Sequence, residues 1–285
     1  MAAHEIAIDC GSGGTRVWQK KGGGGVERLR WPGGGKAPVL SRALQSASGR
    51  EKFAAAVLQL PSAPFIGATA GLRHALQTGR VSEDDVEAFR ALLPPGTLFV
   101  VLSPLDEAKY ELRALRQVHA DQSVAMISLG GKSMQLGRED SLVSLPFAMH
   151  LGYDLLQTAG PSWIDNISAA NRAYEMATER AISDQQLEPI SGLVVGVTDV
   201  MDVATSLQLI DGLPISRDEF LKVLGLCVDS FRKDSCVNLS HHDFHLLARS
   251  LALQAVVGAL LTPDAQLIFP STAVVTWTGG FFCAD

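Results

Sequence analysis

Ile6-Ala7-Ile8-Asp9-Cys10-Gly11-Ser12-Gly13-Gly14-Thr15-Arg16 is the stretch from which the fold of this chain is read. An apolar run of strand character delivers a carboxylate, Asp9, into a glycine-rich turn that carries two hydroxyls. The backbone N–H groups of Gly11, Ser12, Gly13 and Gly14 can converge on phosphate oxygens because little side chain stands in the way, and Ser12 and Thr15 add donors. Asp9, at the strand end, is placed to hold a metal-bound water. A hairpin turn ahead of a second strand would carry the same glycines, so the stretch has two readings until its neighbours are considered.

Outward from it, Thr15–Lys20 and Val26–Trp31 continue a meander through the glycines at 22–25. A helix follows at Arg50–Leu58, a buried strand at Pro64–Ala68, and a helix at Leu72–Gln77 that stops at Gly79. Ser82-Glu83-Asp84-Asp85 opens another helix with its acids in the first turn, then come a strand at Leu98–Leu102 and a helix at Leu105–Val118. At Ser123 the pattern restarts. Val124–Leu129 runs into Gly130-Gly131-Lys132-Ser133, followed by strands at Met134–Gly137 and Leu142–Pro146, which repeats the order of residues 6–31. Such an echo predicts two similar α/β domains, each offering a phosphate-binding turn to a shared cleft. Helices are expected at Tyr153–Thr158, Ile167–Ile182, Arg217–Phe231 and Leu246–Leu261, and strands at Gly192–Val197, Gln266–Phe269 and Ala273–Thr278.

Composition bounds the function. The chain has 285 residues, 47% hydrophobic and 19% charged, enough for two cored domains. A formal net charge of −6 and no basic run longer than Gln19-Lys20-Lys21 argue against a broad nucleic-acid surface. The N-terminus lacks a basic region followed by a signal-length apolar stretch, and Leu246–Leu261 is broken by Arg249 and Ser250, so the expectation is a cytoplasmic chain without a membrane span. Cys10, Cys227, Cys236 and Cys283 are scattered without a Cys-x-x-Cys pair, so neither a zinc knuckle nor a disulfide scaffold is indicated; reduced thiols are the default, with Cys227 and Cys236 close enough in sequence to pair in an oxidising compartment.

Four blocks, Ile8–Arg16, Gly67-Ala-Thr-Ala-Gly-Leu-Arg73, Leu102–Leu112 and Ser128-Leu-Gly-Gly-Lys-Ser-Met-Gln-Leu136, stand in the order and spacing of the first four apyrase conserved regions. Trp277-Thr-Gly-Gly is a looser fifth match. The chain therefore resembles the apyrases, or nucleoside triphosphate diphosphohydrolases, of the actin, sugar-kinase and chaperone ATPase superfamily, in which exopolyphosphatases and guanosine pentaphosphate phosphatases are close relatives. The resemblance implies two actin-like (ribonuclease H-like) domains, 1–122 and 123–285, with a nucleotide or phosphate cleft between them and the last segment able to pack back on the first domain.

The same resemblance assigns roles. Asp9, Gly11, Ser12, Gly13, Gly14, Thr15 and Arg16 fall on the first phosphate loop, and Gly130, Gly131, Lys132 and Ser133 on the second. Thr69 and Arg73 match cleft residues that meet phosphate, Glu107 the general base and Gln135 the glutamine that positions the attacking water. Mg²⁺ or Ca²⁺ is the implied cofactor, held through water by Asp9 and by the residue at position 128. Attack of water on a phosphoryl group needs these parts on general grounds: a proton acceptor, a clamp on the equatorial oxygens and in-line geometry. Outside the blocks, Asp106 and Glu107 read equally as acids on the first turn of a helix.

Position 128 departs from the family, which has aspartate there; serine keeps an acceptor and loses the charge, so Lys132 is a candidate to neutralise phosphate instead. Gly13-Gly14 also replaces a polar pair. The expected substrate is a small nucleotide or polyphosphate, with three readings open: a nucleoside tri- or diphosphate phosphohydrolase, an exopolyphosphatase or guanosine pentaphosphate phosphatase, and a silent nucleotide-binding module. Ser240-His-His-Asp-Phe-His245 has the residue types of a metal site and also those of a capped helix start, the better-supported reading. Trp277 suits core packing or stacking on a base, and Gly196-Val-Thr-Asp199 is a further candidate to approach a nucleotide.

Overall fold

The computed structural model describes residues 4–22, 25–32, 34–119, 123–157, 162–210, 212–233, 239–269 and 277–282. The chain divides into two compact units, one formed by residues 1–117 with 276–285 and the other by residues 118–275.

The first unit contains β1 (Ile6–Cys10), β2 (Thr15–Lys20), β3 (Val26–Leu29), α1 (Leu40–Ala43), α2 (Ala47–Val57), β4 (Phe65–Ala68), α3 (Ala70–Gln77), α4 (Glu83–Leu92), β5 (Leu98–Val101) and α5 (Pro104–Val118). Its five-stranded sheet has the order β3-β2-β1-β4-β5. β1 is the central strand, antiparallel to β2 and parallel to β4, and is covered on both faces; hence its unbroken apolar run, with Ile6, Ala7 and Ile8 fully buried. On one face Phe53, Phe89 and Phe99 meet edge to face, centroids 5.5 and 5.4 Å apart. The Ser82–Asp85 capping box that starts α4 also receives Arg50 from α2 at 2.6 Å, so one acid fixes a helix start and a helix pair.

The second unit contains β6 (Ala125–Leu129), β7 (Met134–Gly137), β8 (Val143–Leu145), α6 (Met149–Gln157), α7 (Trp163–Gln185), β9 (Leu193–Thr198), α8 (Asp199–Ser206), β10 (Ile215–Ser216), α9 (Arg217–Lys233), α10 (His241–Leu260) and β11 (Gln266–Ile268). The sheet order β10-β11-β9-β6-β7-β8 repeats that of the first unit in reverse listing, β8-β7-β6-β9-β11 standing for β3-β2-β1-β4-β5, with β10 added at the edge. Each unit is thus a mixed sheet in which a hairpin feeds a central strand with a parallel neighbour. α10 is apolar nearly all round and runs through the core of this unit, with Leu247, Leu251, Leu253, Val256 and Val257 fully buried. No described helix is long and apolar enough to cross a membrane.

The last described helix, α11 (Trp277–Phe282), belongs to the first unit. Of the strand expected at Ala273–Thr278, residues 273–276 lie outside the described residues, and Trp277 and Thr278 begin the helix instead. Helical spacing lets Trp277 and Phe281, one turn apart, both reach Phe65, at ring-centroid distances of 5.9 and 4.0 Å. Gly280 lies so close to the Tyr110 backbone that any Cβ would collide with the Tyr110 carbonyl oxygen. α7 also starts earlier than expected, because the Ser162 hydroxyl accepts the Asp165 N–H at 3.2 Å. α8 was not anticipated; its start lacks a side-chain cap, and only the acids Asp199 and Asp202 in the first turn mark it.

Candidate phosphate-handling site

In the first unit β1 ends at a four-residue hairpin, Gly11–Gly14, closed by Gly11 N–H donating to the Gly14 carbonyl at 3.0 Å. Gly71, in the first turn of α3, lies so near that its Cβ would come within 2.8 Å of the Ser12 Cα, which seats the hairpin on that helix start. Among the described residues, the N–H groups of Ser12, Gly13 and Gly14 make no backbone hydrogen bond. Two expected phosphate donors are committed elsewhere. Gly11 N–H closes the turn, and the buried Thr15 hydroxyl donates to the Pro38 carbonyl at 2.6 Å, so both serve the hairpin itself.

Asp9 lies one residue before the end of β1, opposite Arg16 on β2. Its Oδ2 accepts from Arg16 Nη1 at 3.1 Å and its Oδ1 from the Trp277 indole N–H at 3.0 Å. Burial pushes the Asp9 carboxyl up, and Arg16 and then Trp277 pull it back. Gly67 on β4 makes the indole contact possible, since a Cβ there would occupy the space of the Trp277 ring. Trp277 is therefore a core residue, as the core-packing reading has it, whose indole N–H also meets Asp9, a contact that apolar patterning alone would have hidden.

Thr69 stands at the N-cap position of α3 without a side-chain cap bond, its N–H donating to the Cys10 carbonyl at 3.2 Å. One turn later Arg73 Nη1 donates to the Leu102 carbonyl at 2.5 Å and reaches Glu107 Oε2 at 3.4 Å, as does Nη2. Glu107 sits in the first turn of α5, behind a Ser103 hydroxyl that accepts the Asp106 N–H at 3.1 Å. Its side chain is 17% exposed. Burial raises the Glu107 carboxyl to about 7; Arg73 opposes the shift and the nearby Asp9 charge adds to it. Asp106 is instead the partner of Ser103, at 2.6 Å. The first unit thus gathers Asp9, Arg16, Thr69, Arg73 and Glu107 around the hairpin. Glu111, one turn beyond Glu107 and 2% exposed, is a further buried acid that its i+4 spacing makes visible in sequence.

The second unit repeats the hairpin with other side chains. Gly130 N–H donates to the Ser133 carbonyl at 3.1 Å, and Ser128 on β6 pairs with Gln135 on β7, in the places Asp9 and Arg16 hold in β1 and β2. Ser128 Oγ shares a 2.9 Å hydrogen bond with Thr198 Oγ, and Gln135 Nε2 donates to Ser133 Oγ at 2.9 Å. α6 begins on this loop: Met149 and His150 N–H donate to the Gly130 and Gly131 carbonyls at 3.4 and 2.9 Å. The buried Tyr174 hydroxyl fixes that start, accepting from Gly152 N–H at 2.9 Å and donating to the Met149 carbonyl at 2.8 Å. Thr198 holds φ at 54°, an unfavourable backbone for a β-branched residue, of the kind that costs about 1–3 kcal/mol.

A divalent cation at the first hairpin would meet one carboxylate, Asp9, whose two oxygens already accept from Arg16 and Trp277. At the second hairpin Ser128 brings no charge, and among the described residues no group of three or more His, Cys, Asp or Glu side chains is placed to hold a metal. Such donors suit a Mg²⁺ that would keep several waters beside one carboxylate and substrate phosphate, not a cation caged by protein ligands alone. The histidines of α10 gather separately: His241 and His245 rings lie 4.2 Å apart, and His241 Nδ1 meets the Tyr153 hydroxyl at 2.7 Å. Burial and neighbouring cations lower His245 to about 4, and the Ser240–Asp243 capping box makes this segment a helix start. Cys10 and Cys227 are free thiols; Cys236 and Cys283 lie outside the described residues.

Set beside solved structures, the chain is similar to the Ppx/GppA family member of Aquifex aeolicus, with a TM-score of 0.62 at 14% identity over 97% of this chain and 95% of that one. It is similar also to an exopolyphosphatase from Cytophaga hutchinsonii, TM-score 0.61 at 13% identity, covering 96% and 95% of the two chains. At such identities the likeness shows the fold alone. No protein-family model and no curated protein matches the chain.

Proposed function

We propose that this chain hydrolyses phosphoanhydride bonds, with Glu107 as the general base. The observation that carries the proposal is a carboxylate raised to about 7, held by Arg73 at 3.4 Å in the same unit as a glycine hairpin with unspent N–H groups. A base of that strength is half ionised near neutral pH and still accepts a proton readily. Water attacks the terminal phosphorus and gives its proton to Glu107, while the bond from phosphorus to the bridging oxygen breaks and leaves its electron pair on the departing phosphate. The hairpin N–H groups, the Ser12 hydroxyl and the Arg73 guanidinium meet charge on the equatorial oxygens. Asp9 orients Arg16 in the same shell.

Two substrate classes suit this chemistry. Nucleoside tri- or diphosphates follow from the order of the sequence blocks, and polyphosphate from the fold shared with an exopolyphosphatase. Release of phosphate from ATP, ADP and long-chain polyphosphate by wild type and Glu107→Gln tests both points at once. Glu107→Gln is expected to lose roughly 10²–10⁴ in rate on the preferred substrate. Unchanged release would remove Glu107 from the mechanism. Nucleotide binding without release by the wild type under varied metals would favour a silent binding module, the reading that the uncharged Ser128 supports. Release that persists in excess chelator would favour Lys132 over a divalent cation as the counter-charge to phosphate, and strict dependence on Mg²⁺ or Ca²⁺ would do the reverse.

A further inference from the structure

Beside the first hairpin lies a cavity of about 580 Å³, within the size range of small-ligand sites, whose lining from residues 28–37 no step of the proposed reaction uses. Gly13 and Gly14 form part of its rim, and four cationic side chains, Arg16, Arg28, Arg30 and Lys36, line it without a single carboxylate. Arg28 lies on β3 opposite Trp18, with Arg30 two residues on, and Lys36 comes from the segment that follows. Arg16 is partly neutralised by Asp9. Among the described residues, Arg28, Arg30 and Lys36 have neither an ion-pair nor a hydrogen-bond partner, and all three are exposed. In a chain of net charge −6 this is a local reversal of sign. Like charges around one concavity repel one another and raise the local concentration of anions, an arrangement that a multiply charged anion relieves.

We propose that this cavity is an oligophosphate subsite, taking phosphates that lie beyond the one held by the hairpin. One phosphate would leave most of the three unpartnered cations without a counter-charge, whereas a linear chain of anhydride-linked phosphates presents charge at each unit and bends to follow a curved lining. The cavity continues from the Gly13–Gly14 rim, so a chain anchored in the hairpin enters it without leaving the first unit. The assignment rests on the phosphoanhydride reading. The phosphate tail of a nucleotide and an inorganic chain share this chemistry.

The test is calorimetric titration of the full chain, in a Glu107→Gln background so that ligand survives, with pyrophosphate, inorganic tripolyphosphate, ATP and a single-stranded RNA oligomer. The comparison variant carries Arg28→Ala, Arg30→Ala and Lys36→Ala together. These exposed positions lie outside the catalytic machinery, and an unchanged Tm verifies folding. Tripolyphosphate affinity is expected to fall by about tenfold or more in the triple variant, and pyrophosphate affinity, with one phosphate in the cavity instead of two, by a smaller factor. ATP weakened in parallel assigns the cavity to a nucleotide tail; ATP unaffected assigns it to an inorganic chain. Equal tripolyphosphate affinity in the two proteins overturns the subsite, as does RNA binding tighter than tripolyphosphate. Phosphate release by proteins with Glu107 intact separates the two readings. A wild type that cleaves none of these anhydrides, while the triple variant still loses tripolyphosphate, removes the proposed function and leaves the anion site. Cleavage with unaltered binding does the reverse.

Discussion

The hairpin after β1 and the hairpin after β6 have one backbone and two chemistries. Each is a four-residue turn closed by an N–H to carbonyl bond from its first to its fourth residue, 3.0 Å in one and 3.1 Å in the other. Each joins a central strand to an antiparallel neighbour. At the cross-strand position beside the turn, the first has the ion pair Asp9–Arg16 and the second the neutral pair Ser128–Gln135. A turn of this geometry therefore does not specify the charge it carries. In the first unit burial raises both Asp9 and Glu107, and Arg16, Trp277 and Arg73 converge on them and oppose it.

The largest expected effect tests the charged side of this comparison. Glu107→Gln should reduce phosphate release by roughly 10²–10⁴ and leave folding intact, since the amide retains the side-chain volume. Next in size is an attempt to give the second hairpin the charge of the first. Ser128→Asp places a carboxylate at a position 2% exposed, and denaturant unfolding at neutral pH should show a loss of about 3 kcal/mol. Adding Gln135→Arg rebuilds the cross-strand ion pair and should recover 1 kcal/mol or more of that loss, by about the worth of a hydrogen-bonded charge pair. If the double variant is no more stable than Ser128→Asp, the two hairpins are not interchangeable frames.

Much of this arrangement was legible before any coordinates. The apolar run of β1 and its echo at β6 mark central strands, and the echo of the strand order follows from them. Serine followed three residues later by aspartate marks the starts of α4 and α10; the same spacing at Ser162–Asp165 starts α7, which the sequence reading began at Ile167. What sequence could not give was the destination of each donor. Thr15 and Gly11 have the residue types of phosphate ligands and are spent on the Pro38 and Gly14 carbonyls. Trp277 looks like core and is core, yet its one polar atom meets Asp9 from a position 268 residues away in the chain. Long-range contacts of this kind leave no periodic signal. The helix of α11 went unread for a related reason, since its anchor is the gap that Gly67 leaves on β4.

A smaller effect isolates that contact. Trp277→Phe keeps most of the ring and removes the hydrogen bond to Asp9, so stability at neutral pH should fall by about 1.5 kcal/mol in denaturant unfolding. Because the indole lowers the Asp9 carboxyl, its loss should also raise the titration of Asp9, followed by carboxyl NMR shifts. An unchanged titration would mean that the hydrogen bond has no electrostatic role.

The upward shift of the Glu107 carboxyl has opposite consequences for stability and rate. The folded chain binds this proton more tightly than the unfolded chain, whose carboxyl titrates near the ordinary 4.5. The Glu107 contribution to stability is therefore fully present below that value and is lost as pH rises to about 7. Catalysis needs the ionised form and should increase over the upper part of the same interval. Arg73→Met removes the cation that lowers the Glu107 carboxyl and should move the rising limb of the rate profile to higher pH.

The most direct measurement is the pH dependence of kcat/KM for phosphate release from the best substrate of the panel, in wild type and in Glu107→Gln. Wild type should rise with a midpoint at about 7, and Glu107→Gln should show a low, flat residue without that limb. The same limb in both proteins, at comparable rates, would contradict the account, because the ionisation that controls the reaction would then belong to another group.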